Sequence, residues 1–348
     1  MSFTGQWVWV TGASSGLGHE LAKQLAAQGA KLVLTARRAD KLEALKQELA
    51  GTEVRVVPAD MSRGDDVQRA LDEVKQLPLA AAVLNAGTTH LGRHEELTWE
   101  AFEQMVQLNV LGTTRAVSEL VRHHQQLGAP LRIMLVTSMA GLMPVPFQSA
   151  YSGTKAFLTA FGTALAHELK GSPVSVTVFA PGGIATEMTQ GERFGSLRGW
   201  LAPVDAVARE AMAALHGRAP LYVQGFLNRL GLLAFRFVPR NLVMGQLRSQ
   251  YAKSLADAEK RALPGGLERD GSAHARRAAG GPPAARGDVG GRRRPHPAAP
   301  RQRLHHPGRP VARRAGGLRP RGGGGLRRLP RKSGRHPRAA GPGRPERA

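Results

Sequence analysis

The sequence predicts an α/β fold, a single doubly wound parallel sheet of about seven strands flanked by helices. Three observations predict it. Seven short apolar runs follow one another: WVWVTG, KLVLTAR, VRVVPAD, AAVLNAG, RIMLVTS, VSVTVFAPG and PLYVQG. Amphipathic segments such as GHELAKQLAAQG, with apolar residues recurring at three and four, separate most of them. The runs are continuous rather than alternating, which is typical of parallel strands buried on both faces and joined by right-handed crossovers.

The residues that close these runs indicate one common site. Ligands of open α/β sheets bind outside the carboxyl ends of the strands, near the point where the strand order reverses. Six predicted strands end on residues that suit such a site: Gly12, Arg37, Asp60, Asn85, Ser138 and Pro181. We therefore expect these six residues to surround one cleft.

The composition changes abruptly near Leu263. Residues 261–348 hold 23 of the 49 Lys and Arg but 4 of the 26 Asp and Glu, so they carry +19 of the total formal charge of +23. Gly, Ala, Arg and Pro fill 67 of these 88 positions, and aromatic residues are absent. Such a segment buries too little apolar surface to offset its ordering entropy, so we predict a disordered tail over 261–348.

Two explanations of this tail stay open. Its arginines suit nonspecific contact with nucleic-acid phosphates, but it lacks the interleaved aromatic residues that would stack on bases. Its dominant residues are also those encoded mainly by codons rich in G and C. We hypothesise that the tail is an out-of-frame translation that begins near Leu263, and a resequenced gene with one clean frame through this region would contradict this.

Several classes of protein are disfavoured by what the sequence lacks. The absence of cysteine excludes disulfides and thiolate metal sites, and we predict no metal. The start MSFTGQWVWVTG has neither the basic region nor the cleavage site of a secretory signal. No run of 18 uncharged apolar residues suits a membrane-spanning helix. We expect a cytoplasmic protein, with peripheral membrane contact as an alternative.

The stretch TGASSGLGHE, residues 11–20, follows the first strand and opens the first helix. Gly12 permits a tight turn, Gly16 lets backbone amides approach a pyrophosphate, and Gly18 allows close packing of helix and strand. The spacing G-x3-G-x-G also occurs in ordinary strand-to-helix turns. Its position at the first βα junction favours a dinucleotide-binding turn, which would also include Ser14, Ser15 and Leu17.

The end of the second strand favours NADP(H) over NAD(H). An acid at this position usually holds the ribose of NAD, whereas a cation accommodates the 2′-phosphate of NADP. Here Ala36 is followed by Arg37 and Arg38. Arg38 is equally well explained as the start of a solvated helix face. Asp60, which precedes Met61, is expected to accept a hydrogen bond from the adenine amine, and a role as N-cap of the next helix is compatible with this.

Six motifs in order resemble those of the short-chain dehydrogenase/reductase (SDR) family. They are TGASSGLG, NAG at 85–87, LNVLG around Asn109, VTSMAG around Ser138, YSGTK at 151–155 and PGGIAT. The resemblance covers roughly residues 5–225, with twelve residues between Ser138 and Tyr151 as in the family. It implies a Rossmann-type sheet and an oxidoreductase that interconverts a carbonyl and an alcohol with NADP(H).

The resemblance also implies catalytic roles. Tyr151 resembles the family's general acid, and Lys155 the lysine that holds the nicotinamide ribose and lowers the tyrosine pKa. Ser138 resembles the residue that positions the carbonyl, and Asn109 the asparagine that maintains a water-linked proton relay to the lysine. A fixed cation does stabilise a phenolate whose free pKa is about 10. The alternative for Tyr151 and Lys155 is a half-buried aromatic beside a snorkelling lysine.

Two further segments are expected at the cofactor through the same resemblance. One is a turn against the adenosine ribose, formed by Asn85, Ala86 and Gly87. The other is a loop over the nicotinamide amide and the phosphates, formed by Pro181, Gly182, Ile184 and Thr186.

Residues 187–203 lie where the family has its variable substrate lid. Five apolar residues there suggest an apolar substrate wall, or simply pack the lid onto the body: Met188, Phe194, Leu197, Trp200 and Leu201. We expect an apolar small-molecule substrate and a homo-oligomer. The alternative from another class is a noncatalytic dinucleotide-binding protein, or a protein that binds nucleic acid through its tail.

Residues 226–260 read as a basic amphipathic helical segment that follows the 1–225 catalytic domain. Arg229, Arg236 and Arg240 fall near one helical face, while six apolar residues cover much of the rest: Phe226, Leu227, Leu230, Leu233, Ala234 and Phe237. Packing on the core or on a neighbouring subunit is the favoured interpretation. Contact of 226–247 with a membrane surface is the alternative, and Pro239 is expected to end or kink the helix.

Overall fold

A computed structural model describes residues 2–235 and 237–262. Its sheet has seven strands, all parallel, in the order β3-β2-β1-β4-β5-β6-β7. The strands are β1 Trp7–Thr11, β2 Lys31–Thr35, β3 Val54–Val56, β4 Leu79–Leu84, β5 Leu131–Val136, β6 Val174–Ala180 and β7 Leu221–Val223. Each predicted apolar run overlaps one of them, so the predicted Rossmann-type sheet is confirmed.

Helices cover both faces of the sheet. They are α1 Gly16–Ala27, α2 Ala39–Glu48, α3 Gly64–Lys75, α4 Trp99–Val106, α5 Thr113–Leu127, α6 Ser149–Glu168, α7 Val204–Gly217, α8 Phe226–Phe235 and α9 Arg240–Ala262. A π-helical turn, Gln107–Gly112, joins α4 to α5, and a 3-10 segment, Glu192–Trp200, precedes α7.

Alternate residues of each central strand enter two separate cores. Val8 of β1 packs with residues of α1, α2 and α7, whereas Trp9 packs with residues of α3 and α5. Both side chains are completely buried. Two buried faces explain why the strands read as continuous apolar runs.

The strand order reverses beside β1, which pairs with β2 on one side and with β4 on the other. The loops after β1 and β4 therefore diverge and leave a crevice at the carboxyl ends. The Thr11 hydroxyl joins the two strand ends, because it accepts hydrogen bonds from the backbone N–H groups of Asn85 at 3.0 Å and Ala86 at 3.1 Å.

The C-terminal helices differ in how they meet the body. The end of α9 packs on the 3-10 segment: Leu255 and Ala258 are buried, and the Ser254 hydroxyl donates to the carbonyl of Arg193 at 2.7 Å. In α8, by contrast, Phe226 and Leu227 are 75 and 79 % exposed. The end of α9 thus packs on the body, whereas α8 meets the body with one face and leaves large apolar side chains exposed on the other.

Pro239 stands between α8 and α9, where the sequence predicts an interruption. In the part of the chain that the structure describes, none of the helices is long and apolar enough to cross a bilayer. Residues 261 and 262 complete α9, and the rest of the predicted tail lies outside the described residues. Arg236 and the side chain of Ala234 lie outside them as well.

Candidate active site

A cavity of about 620 Å³ opens at the carboxyl ends of the strands, and all six strand-end residues line it. Most of the other predicted site residues line it too. Those are Ser14, Ser15, Gly16, Leu17, Arg38, Met61, Ala86, Gly87, Tyr151, Lys155, Gly182, Ile184 and Thr186. Gly18 and Asn109 lie behind its wall.

The glycine turn has the close packing that its sequence predicts. Gly12 has a φ of +69°, in the left-handed region that favours glycine. A Cβ on Gly18 would lie 2.3 Å from the carbonyl oxygen of Gly12 and 2.6 Å from Nδ2 of Asn85. Gly18 therefore lets α1 pack against the strand ends, behind the cavity wall.

The N-terminus of α1 faces the cavity with its amides uncapped. Ser15 precedes the helix without a side-chain hydrogen bond to it, and the first turn holds no acidic residue. The N–H groups of this turn have no acceptor within the helix. Together with the helix dipole they form a site for an anion such as a pyrophosphate.

Asn85 contributes to the turn itself. Its amide nitrogen lies 3.2 Å from the carbonyl oxygen of Thr11 and 3.4 Å from that of Gly12, to both of which it donates. The donor capacity of this side chain is used to hold the end of β1 against the end of β4. Ala86 and Gly87 follow directly and line the cavity.

The two arginines after β2 have different surroundings. Arg38 donates to the Ser14 hydroxyl at 3.2 Å and pairs with Glu187 at 3.4 Å. Arg37 is exposed and, among the described residues, has neither an ion pair nor a hydrogen bond. Arg37 is therefore the cation that is free to meet a phosphate at this edge.

Asp60 does not cap α3, which corrects one of the two interpretations above. One of its carboxylate oxygens accepts from the backbone N–H of Ser62 at 2.9 Å and from the Ser62 hydroxyl at 2.7 Å. The N-cap position of α3 is occupied by Arg63. Asp60 thus stabilises a turn ahead of the helix while it lines the cavity.

Tyr151, Lys155 and Ser138 come together where β5 ends and α6 begins. Tyr151 lies in the first turn of α6, and Lys155 follows one turn later on the same face. The Lys155 ammonium donates to the carbonyl of Val136 at 3.0 Å and lies 5.8 Å from the centroid of the Tyr151 ring. Ser138 lies two residues after the end of β5, and its hydroxyl accepts a hydrogen bond from the backbone N–H of Ala140 at 3.1 Å.

The electrostatics of this group favour a neutral phenol. Burial raises the pKa of Tyr151, and a hydrogen bond with Ser138 acts in the opposite direction. Burial lowers the pKa of Lys155 to about 8, so its ammonium is still the major form at neutral pH. The three side chains can therefore hold a carbonyl oxygen, supply it with a proton and stabilise the phenolate left behind.

The sequence model of the family described as short chain dehydrogenase matches residues 6–195. The chain belongs to the short-chain dehydrogenase family. This short-chain dehydrogenase is 35 % identical over 199 residues to a very-long-chain 3-oxoacyl-CoA reductase of Aspergillus terreus, which covers 53 % of this chain and 52 % of the relative. It is 29 % identical over 191 residues to human 17-beta-hydroxysteroid dehydrogenase type 3, with 53 % and 61 % covered.

Solved structures give the same assignment. A short-chain dehydrogenase from Sphingobium yanoikuyae in complex with NADPH superimposes with a TM-score of 0.60 at 27 % identity, over 69 % of this chain and 95 % of that one. A 3-ketoacyl-(acyl-carrier-protein) reductase from Brucella melitensis complexed with NADH gives 0.58 at 27 % identity, over 64 and 98 %. This short-chain dehydrogenase spans about half the length of the curated relatives it matches.

Asn109 of this short-chain dehydrogenase is buried in the π-helical turn rather than exposed in the cavity. Its amide accepts from the backbone N–H of Thr88 and donates to the carbonyl of Thr88, both at 2.9 Å, and it also donates to the Thr154 hydroxyl at 3.0 Å. A Cβ on Gly87 would lie 3.2 Å from Oδ1 of Asn109 and 3.4 Å from Nζ of Lys155. Asn109 thus fixes the chain beside Lys155, and the water-linked relay stays a prediction.

The substrate side of the cavity is largely apolar. All five predicted lid residues line it, and Met143, Val145 and Leu247 join them. Trp200 is nevertheless 78 % exposed. The lid residues therefore wall the cavity, while Trp200 packs little against the body.

Sequence reasoning missed several polar residues that line the cavity, among them Gln148, Asn228 and Tyr251. Gln148 is buried and donates to the Thr89 hydroxyl at 3.1 Å. Its position three residues before Tyr151, at the N-cap of α6, was a usable signal. Tyr251 comes from α9, a hundred residues beyond Tyr151, and no local pattern predicts that contact. Burial raises the pKa of the Tyr251 phenol. The pKa of Tyr151 is raised mainly by its own burial, and the nearby Tyr251 adds to that increase.

Proposed function

We propose that this protein is an NADP(H)-dependent oxidoreductase that interconverts a carbonyl and an alcohol on an apolar substrate. The observation that carries the proposal is the meeting of Ser138, Tyr151 and Lys155 in the same cavity as the uncapped N-terminus of α1. The reaction needs a proton at the carbonyl oxygen and a hydride at the carbon. The nicotinamide supplies the hydride when it is bound, and the protein supplies the proton.

The proton side follows from the three side chains. The Ser138 hydroxyl donates a hydrogen bond to the carbonyl oxygen and places it beside the phenol. Tyr151, kept neutral by burial, donates its proton to that oxygen. The positive charge of Lys155 then stabilises the phenolate, which otherwise would be disfavoured in a site with little water.

The residues present fit a phosphorylated dinucleotide. The glycine turn leaves the amides of α1 clear for the pyrophosphate. Gly16 begins this helix with a φ of +57°, a conformation that favours glycine. Arg37 supplies an unpaired guanidinium for a 2′-phosphate. Among the cavity-lining residues after β2, no acid takes the position that would hold the unmodified ribose of NAD.

The substrate wall supports a ketone with a long or bulky apolar body. The described cations that line the cavity are Arg37, Arg38 and Lys155, which belong to the cofactor or to the proton donor. A short acidic substrate would lack a guanidinium to bind its carboxylate. The relatives named for 3-oxoacyl and hydroxysteroid substrates support the same class.

A test is NADPH oxidation by the full chain, followed by absorbance, with apolar ketones and long-chain 3-oxoacyl thioesters against small hydrophilic ketones, aldehydes and quinones. We expect turnover that increases with the apolar length of the substrate, and loss of turnover in Ser138→Ala. Tight NADPH binding without turnover of any carbonyl would favour a noncatalytic dinucleotide-binding protein. Salt-sensitive nucleic-acid binding without NADPH binding would favour the other alternative.

We also propose a homo-oligomer. Phe157 on α6 is 46 % exposed and stacks on Phe161, with ring centroids 6.0 Å apart, and Leu111 is 51 % exposed. Large apolar side chains at the surface are typical of subunit contacts. Light scattering of the wild type and of Phe157→Ser tests this proposal. A subunit contact through α6 predicts a smaller molar mass for the variant, and an unchanged mass would contradict the contact.

A further inference from the structure

We propose that α8 and the start of α9 form a surface that docks on an anionic lipid bilayer. This docking surface consists of exposed apolar side chains: Phe226, Leu227, Leu230, Leu233, Phe237, Val238 and Leu242. Seven of the large apolar side chains exposed in the described residues thus fall within a stretch of seventeen positions. The proposal goes beyond the proposed function and does not depend on the reaction.

The apolar face of α8 points away from the body. Phe226, Leu230 and Leu233, spaced i, i+4 and i+7, are 75, 51 and 53 % exposed. Residues on the opposite face are half-buried: Asn228, Leu232 and Phe235. A surface helix of a soluble body normally buries its apolar face. Here the helix meets the body with one face and leaves three large apolar side chains in a row without cover.

The charge of the segment identifies the partner as an anionic surface. Residues 211–256 contain six Lys and Arg and no Asp or Glu. Three exposed cations of α9 have no ion pair among the described residues: Arg240, Arg248 and Lys253. Apolar side chains fringed by unpaired cations are the pattern of a helix that lies in the interface of an anionic membrane.

A second copy of the chain fits this surface less well. A two-fold contact would bring the same patch of both subunits together. Arg229 is paired with Glu210 of its own copy, but Arg240, Arg248 and Lys253 have no ion pair among the described residues, so two copies would bring these cations together without compensation. Lipid headgroups supply the missing negative charge.

The docking surface adjoins the cavity. Asn228 of α8 lies against the loop after β6, where a Cβ on Gly182 would be 2.7 Å from its Nδ2. Leu247 and Tyr251 of α9 line the cavity. Trp200 and Met188 line it too, although they are 78 and 48 % exposed, and so mark its open edge. A bilayer on this surface would bring an apolar substrate to the cavity without passage through water.

The test is cosedimentation of the full chain with sucrose-loaded vesicles of phosphatidylcholine with 30 % phosphatidylserine, at 0.1 M and 0.5 M NaCl. Leu230→Asp/Leu233→Asp removes apolar contact from α8 and leaves the cavity-lining residues intact. The matched control is Leu127→Asp, because Leu127 is 63 % exposed at the end of α5. All proteins keep the basic tail, whose purely electrostatic contacts weaken steeply with salt.

We expect the wild type to bind at both salt concentrations. At 0.5 M NaCl the partition coefficient of the double variant should be at least about tenfold lower than that of the wild type. Leu127→Asp should stay within about twofold of wild type. Equal binding of wild type and double variant, lost in both at 0.5 M NaCl, would mean that the tail alone binds and would overturn the proposal. The proposal would also be overturned if the wild type were a dimer that does not bind vesicles and the double variant were a monomer. Circular dichroism and NADPH binding establish that the variants are folded.

Discussion

The ammonium group of Lys155 lies 5.8 Å from the centre of the Tyr151 ring and is held there by the carbonyl of Val136, 3.0 Å away. The carbonyl belongs to the last residue of β5 and the lysine to α6, so the contact joins the sheet to the helix that carries the phenol. We expect a positive charge fixed at this place to stabilise the phenolate form of Tyr151 during the proposed reaction.

Replacing Tyr151 with Phe should lower turnover by at least about a hundredfold, because a general acid typically contributes 10²- to 10⁴-fold. NADPH binding should change little, since the ring remains. Tyr222→Phe is the matched control: the Tyr222 hydroxyl donates to Glu210 at 3.3 Å and does not line the cavity. NADPH oxidation and fluorescence titration measure the two quantities. Full activity in Tyr151→Phe would mean that another group donates the proton.

Replacing Lys155 with Met should abolish turnover and yet stabilise the cofactor-free protein at neutral pH. The folded pKa of about 8 lies below the unfolded value, so the folded state binds fewer protons between these values and stability rises with pH there. Below about pH 8 the full penalty of a buried charge is present. Allowing for the lost hydrogen bond, the variant should gain about 2 kcal/mol at pH 7, and by about pH 10 this gain should be gone or have become a small loss.

Urea unfolding at pH 7 and pH 10 measures this difference for Lys155→Met. Lys170→Met replaces an exposed lysine and should change the free energy of unfolding little at either pH. A gain for Lys155→Met that is equal at both pH values would mean that packing, and not a buried charge, is responsible.

Replacing Arg37 with Ala should weaken NADPH binding by about tenfold or more, as expected for a lost charge-assisted contact with phosphate. NADH binding should stay nearly unchanged because NADH has no 2′-phosphate. Arg38→Ala should have a smaller effect on NADPH, since Arg38 is already engaged by Ser14 and Glu187. Isothermal titration of both cofactors decides the matter, and equal weakening of NADH and NADPH by Arg37→Ala would contradict a phosphate contact.

The sheet and most of the cavity wall could be predicted from local patterns. Strands buried on both faces, such as β1 with Val8 and Trp9, leave continuous apolar runs in the sequence. Parallel strands end at one edge, so the residues that close them necessarily meet. This is why Asn85 and Ser138, far apart in the chain, were both expected at the site.

The contacts of the C-terminal helices could not be predicted in the same way. Tyr251 reaches the cavity because α9 packs back on the 3-10 segment through Ser254 and Leu255, a contact set by tertiary packing alone. The amphipathic pattern of α8 predicted a helix, but it did not predict whether the apolar face is turned toward the body or toward solvent. The competing interpretations of Arg38 and Asp60 likewise depended on which residues the fold places beside them.

Two glycines of α6 should respond in opposite ways to the same substitution. A Cβ on Gly153 meets nothing within 4 Å, so Gly153→Ala should stabilise the protein by roughly 0.5 to 1 kcal/mol through the higher helix propensity of alanine. A Cβ on Gly162 would lie 2.6 Å from both Leu135 and Val178, so Gly162→Ala should destabilise it by about 1 to 3 kcal/mol despite the same gain in propensity. Urea unfolding of both variants measures the contrast. Destabilisation by Gly153→Ala would contradict the open space that the structure leaves beside Gly153.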